Sequence, residues 1–157
     1  MRGYLNAIMM SSVAFIYSTI ALGALTRAMG AGMGCGPDWP LCLGYLVPPA
    51  VVHEVEVLLE YTHRLSALAA FLTVLVGAIL ASRLKPASES KSVRLWAYTT
   101  LAIMIAQILV GAAVVKLHLN PALSALHTML ATLTAITATI AAVEARHYTS
   151  RVQERSI

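Results

Sequence analysis

The sequence predicts an all-α integral membrane bundle of four helices, up-down-up-down, with a long outer loop between the first two. Three observations predict it. The chain of 157 residues is 59% hydrophobic and only 11% charged, with a mean hydropathy of +0.76, which no soluble domain of this size matches. Four apolar runs each reach the roughly 20 residues needed to cross a hydrocarbon layer about 30 Å thick. Lysine and arginine gather at the ends of those runs, as they do in the loops of membrane proteins.

The first run, residues 3–26, carries no charge and is flanked by Arg2 and Arg27. A cleaved signal peptide has a shorter apolar region, so this is read as span one. Residues 28–56 change character: Gly30, Gly32, Gly34, Gly36, Pro40, Gly44, Pro48 and Pro49 break any regular element. A loop of this length is more often a functional lid than a spacer. Its Trp39 and Tyr45 suit a membrane interface, where an aromatic body and a polar edge are both accommodated.

Span two, residues 57–82, opens with Glu60-Tyr61-Thr62-His63-Arg64. On a helix this spacing puts Glu60, His63 and Arg64 on one face. Ionisable groups inside a span are costly and usually face a cavity, a partner or a cofactor. A connection rich in Arg83, Lys85, Lys91 and Arg94 leads to span three, residues 95–115. The turn from Lys116 to Pro121 follows, with Asn120 as N-cap and Pro121 as first helical residue. Span four, residues 122–143, holds His127 and ends in a basic tail, 144–157, with Arg146, Arg151 and Arg155. The whole, 1–157, reads as one transmembrane domain.

Arg2, the second connection and the tail hold eight of the eleven lysines and arginines, which puts both termini in the cytoplasm of a cell membrane. The net charge of +4 therefore belongs to membrane topology, and nucleic acid is excluded as a partner. Cys35 and Cys42 are too few for a disulfide-stapled fold and lack metal-site spacing. Their loop faces outward, an oxidising place where a disulfide can persist.

His63 and His127 each lie about six residues into their spans, roughly 9 Å below the outer helix starts. Spans two and four run in the same direction, so the two imidazoles share one depth and suit the axial positions of a haem iron. Ala67 and Ala70 beside His63, and Ser124 and Ala131 beside His127, leave room for a flat ring. The bland alternative is a pair of histidines hydrogen-bonded to neighbouring helices along ordinary small-residue seams. Glu60 either neutralises Arg64 one turn away or stands near the rim of the ring, where it accepts a proton or stabilises positive charge. Arg27, Arg64 and Lys116 are outer-level cations, either partners for propionates or interfacial anchors. His118 sits in the outer turn, either as a solvated loop residue or as a proton shuttle or ligand, and His53 and His147 read as surface residues.

These motifs resemble haem A synthase, the CtaA-type membrane enzymes. The likeness is carried by Thr26-Arg27, the glycine-rich stretch from Gly30 to Gly34, and Cys35-Gly36-Pro37-Asp38-Trp39-Pro40-Leu41-Cys42. Glu60-Tyr61-Thr62-His63-Arg64, Gln107-Ile108-Leu109-Val110-Gly111 and His127 extend it, over about residues 20–130. The resemblance implies oxidation of a ring methyl of haem O to the formyl group of haem A. It implies His63 and His127 as iron ligands, Glu60 as the catalytic candidate and a disulfide between Cys35 and Cys42. The usual enzyme has eight spans in two halves, with a haem b in the second. This chain matches the first half, so a homo-oligomer supplies a second haem or one site suffices. Haem O synthase, a terminal oxidase and membrane lipid are the other implied partners. A bis-histidine cytochrome b electron carrier and a non-catalytic haem-binding accessory protein are the alternative functions.

Overall fold

Four long helices account for most of the computed structural model, which describes residues 2–85 and 88–154. They are α1 (Arg2–Ala28), α2 (Val55–Ser82), α3 (Ser88–Lys116) and α4 (Pro121–Glu154), with a short 3-10 turn at Pro49–Val52. All four are long and apolar enough to cross a membrane. Among the described residues no strand occurs beyond a single bridge pairing Cys42 with Tyr45.

α1 packs against α2 and α4, and α3 against α4 and α2. Residue numbers run in opposite directions across the α1–α2 seam, where Gly77 lies beside Met9, Ser66 beside Thr19 and Leu59 beside Thr26. The same holds between α3 and α4, where Gly111 meets His127 and Gln107 meets Thr134. One end of the bundle thus carries the 29–54 loop and the 117–120 turn, and the other carries the termini.

Large apolar side chains on α2 point outward along one helical stripe, through Leu65, Leu68, Leu72, Val76 and Ile79. The buried face is built from Ala70, Val74, Gly77, Ala78 and Ala81. This inverts the pattern of a soluble helix, whose large apolar residues face the core. Lipid tails solvate the large residues equally well, so small ones are left to bring the backbones together.

Two helix extents differ from the expectation. α3 starts at Ser88 rather than 95, and α4 runs to Glu154 rather than ending near 143. Hydropathy marks where lipid contact stops, whereas a helix continues until a breaker. The segment from Glu144 to Glu154 contains no glycine or proline, so the basic tail is largely helical. Arg155 lies outside the described residues.

The start of α4 is as expected: Asn120 Oδ1 accepts from the amides of Ala122 at 3.1 Å and Leu123 at 3.2 Å. α1 and α3 end in the same way. After α1, Gly30 (φ +70°) donates to the Arg27 carbonyl and Ala31 to that of Thr26. After α3, His118 (φ +52°) donates to Val115 and Leu119 to Val114. Both are Schellman closures, with His118 standing where glycine is usual.

The packed core is unevenly placed. One cluster fills the termini end, around Leu5, Met9, Ala81, Val93, Ala97 and Ala145. A second lies at mid-bundle, formed by Ile16, Ala70, Val74, Met104, Ala135 and Ala138. The third, Cys35, Cys42 and Val57, belongs to the loop and the first turn of α2. His63 lies about two turns from Ala70 toward the loop end, and His127 about two turns from Ala135, between the second cluster and the loop.

Candidate functional site

The loop is bound to α2 by a small set of polar contacts. Cys35 and Cys42 form a disulfide. Just beyond Cys42 the chain turns through Leu43 (φ +53°) and Gly44 (φ +81°), and the Cys42 and Tyr45 backbones exchange two 2.9 Å hydrogen bonds. Positive φ at both central residues makes this a type I′ turn. The Cys35 amide donates to Glu60 Oε2 at 2.7 Å, a buried bond. Arg64 pairs with Glu60 Oε1 and also donates from Nη1 to the carbonyls of Asp38 and Leu41, both at 2.7 Å.

This is the only ion pair among the described residues, and it is not a surface one: the Glu60 side chain is 4% exposed and that of Arg64 15%. The bland reading of Glu60 as a partner of Arg64 therefore holds, and both residues also clamp the loop. Arg64, expected as an outer-level cation for a propionate or as an interfacial anchor, has its guanidinium directed at the loop. Arg27 in the last turn of α1 and Lys116 at the end of α3 are exposed at the same end of the bundle. His53, His118 and His147 are exposed, as expected.

The two histidines of interest are half-buried and sit in matching surroundings. His63 Nδ1 lies 3.1 Å from the Thr19 carbonyl on α1, and His127 Nδ1 lies 3.0 Å from the Gln107 carbonyl on α3. A carbonyl oxygen only accepts, so Nδ1 carries a proton in each ring, and in the neutral ring Nε2 then presents a lone pair. Metal-binding histidines are commonly held this way, with the second nitrogen donating to a carbonyl. Thr19 Oγ1 lies 2.7 Å from Ser66 Oγ, and Thr134 Oγ1 donates to Gln107 Oε1 at 2.8 Å, so each carbonyl-bearing residue is also tied to the helix of the histidine it holds.

The depth argument needs revision. α2 begins at Val55, two residues earlier than expected, so the two histidines are not equally far from their helix starts. Their level is set instead by the helices they lean on. Gly23 precedes Gly30 by the same interval as Gly111 precedes His118, and those two residues close α1 and α3 identically.

These features fit a haem by the chemistry of the donor set. Two imidazoles from α2 and α4 offer Nε2 beyond the end of the mid-bundle core, flanked by buried Ala70 and Ser124 and half-buried Ala67 and Ala131. No cluster of three or more histidine, cysteine, aspartate or glutamate residues suited to a bare metal ion occurs among the described residues.

Sequence reasoning missed Gly23 and the carbonyls of Thr19, Gln107, Asp38 and Leu41. It quoted Gly111 and Gln107 only as part of a motif. A signal for the first group existed: Thr19 and Gln107, Gly23 and Gly111, Gly30 and His118 all differ by one constant offset in number.

The family model described as cytochrome oxidase assembly protein, COX15-CtaA, matches residues 6–156. The chain belongs to this family. Family and helices together make it a multi-pass membrane protein. A Thermus thermophilus protein named Protoheme IX farnesyltransferase is 42% identical over 93 residues, covering 59% of this chain and 15% of the relative. Proteins named Heme A synthase from Bacillus mycoides and Bacillus cereus are 37% identical over 106 residues, covering 67% of this chain and 32% of each relative. The chain thus matches a third or less of the length of these curated relatives. No solved structure matches it.

Proposed function

We propose that this family member is a haem A synthase, an oxidoreductase that converts a ring methyl of haem O into the formyl group of haem A by successive hydroxylations followed by loss of water, with the oxygen source and the electron acceptor supplied from outside the chain. The observation that carries the reading is the pair of imidazoles, each with Nδ1 given to a backbone carbonyl and Nε2 left to a ligand. Bound there, the haem supplies the iron and the conjugated ring on which the oxidation occurs.

The chain's own residues take the following parts. His63 and His127 would hold the iron. Arg27 and Lys116, exposed at the loop end, pair with propionates. Arg64 serves the site by holding the loop over it. Glu60 is the catalytic candidate, three residues before His63. With its oxygens accepting from Cys35 and Arg64, it acts at the ring edge as a fixed acceptor that stabilises developing positive charge.

The site lies in one transmembrane domain of the cell membrane with both termini cytoplasmic and the disulfide loop outside. The partners are haem O, a second copy of the chain, a haem O synthase and a terminal oxidase. A haem O synthase is favoured because a relative bears the name Protoheme IX farnesyltransferase.

The test is to express the chain with a source of haem O and to type the extracted pigment by mass. Haem A that appears only with this protein supports the proposal. Haem b alone, bound with a low-spin spectrum, identifies an electron-carrying cytochrome. Bound haem O that is never converted identifies an accessory protein. A Glu60→Gln variant keeps the haem spectrum and loses conversion, and full-rate conversion by it would remove Glu60 from the chemistry.

A further inference from the structure

α1 and α3 carry the same pattern at the same spacing. Leu5, Met9, Ser12 and Ile16 are buried on α1, and Val93, Ala97, Thr100 and Met104 occupy the matching buried places on α3. Ser12 Oγ and Thr100 Oγ1 each donate to the carbonyl four residues back, at 2.9 and 2.8 Å. The series ends with Thr19 and Gln107, then with Gly23 and Gly111. α2 and α4 match in turn, with Ala70, Val74, Ala78 and Ala81 answering Thr134, Ala138, Ala142 and Ala145, all buried. On this register His63 answers His127. The two helical hairpins thus repeat one buried pattern, each contributing one ring.

A Cβ built on Gly23 would stand 2.8 Å from His63 Cε1 and 3.2 Å from its Nδ1. A Cβ on Gly111 would stand 2.9 and 3.3 Å from the same atoms of His127. Each ring therefore packs through Cε1 and Nδ1 against a glycine, with Nδ1 bonded to the carbonyl one turn before that glycine. Any other residue at these positions would push the ring off.

We infer that Gly23 with the Thr19 carbonyl, and Gly111 with the Gln107 carbonyl, form two equivalent imidazole seats that fix the tautomer and orientation of the iron ligands. The inference deepens the proposed haem reading. The glycines and carbonyls are positioning residues, acting only through His63 and His127. What differs between the hairpins is the charge beside each seat. Glu60 and Arg64 accompany His63, whereas buried Ser124 and exposed Thr128 take their places beside His127.

Two measurements test this on the full chain in detergent. In the haem-free protein, nitrogen NMR of labelled histidine should show two rings in the neutral form with the proton on Nδ1. Gly23→Ala should remove one and Gly111→Ala the other, while Gly77→Ala, which meets the flexible end of Met9 and touches Ile8 at an ordinary 3.7 Å, leaves both. On titration with protohaem, the wild type should give a six-coordinate low-spin spectrum. Each seat variant should bind about 10- to 100-fold more weakly with a high-spin component.

A third pair of proteins removes misfolding as an explanation. His63→Gly should regain the low-spin spectrum with added imidazole, and His63→Gly combined with Gly23→Ala, which has no ring left to displace, should not. Both seat variants retaining Nδ1–H and a low-spin spectrum would overturn the seats, as would imidazole rescue of the double variant. A wild type with two Nδ1–H rings that binds no haem would leave the seats intact and remove the haem reading.

Discussion

Gly34 offers the sharpest test of how the loop is held. A Cβ there would stand 2.3 Å from the Glu56 carbonyl oxygen, 2.4 Å from its carbon and 2.8 Å from the Val57 nitrogen. All three are backbone atoms in the first turns of α2, so no side chain can turn aside. Ordinary contact begins near 3.4 Å, so in Gly34→Ala the loop must retreat by about 1 Å. The neighbouring Cys35 amide is 2.7 Å from Glu60 Oε2, and the same retreat stretches that bond beyond hydrogen-bonding range. Losing a buried bond to a charged acceptor costs about 1.5–3 kcal/mol. For a chain of this size that lowers the melting temperature by roughly 3–12 °C. Circular dichroism melts in detergent measure the loss, and the rate at which a phosphine reduces Cys35–Cys42 should rise alongside. An unchanged melting temperature with an unchanged reduction rate would refute the idea that the loop rests on α2 through Gly34.

Three further outcomes follow from contacts already described. Glu60→Ala strands the Cys35 amide and Arg64 together and should cost about 3–5 kcal/mol in a denaturant titration, whereas Glu60→Gln keeps an acceptor and should cost less than half as much. Asn120→Ala removes the cap of α4 and should cost about 1 kcal/mol in the same titration. His118→Gly relieves a left-handed residue at the end of α3 and should raise stability by roughly 1 kcal/mol without altering any haem spectrum; a changed spectrum would give His118 a part in the site.

Much of the fold was legible in the chain because lipid imposes a simple code. Four apolar runs of spanning length mark four helices, and Asn120-Pro121 marks a helix start to the residue. The helix ends at 88 and 154 were not legible, since hydropathy records solvent preference rather than hydrogen bonding. In the site, the Glu60-x-x-His63-Arg64 spacing showed which side chains share a face. It did not show that Arg64 reaches back to the carbonyls of Asp38 and Leu41, because such contacts depend on how a glycine-rich loop closes. The glycines under the two rings were hidden for another reason. A glycine in a membrane helix is common, and only the interval that Gly23 shares with Gly111 sets these two apart.

The lopsided distribution of packed side chains has a mechanical consequence. Alanine-rich contacts below Ala70 and Ala135 grip the four helices like the handle of a pair of tongs, while the tips beyond them are joined by few buried side chains. Such an object is held together from one end, so a disturbance at the tips need not loosen the handle. The polar contacts that strap the loop all end on α2, so a tug on them would be felt at His63 before His127.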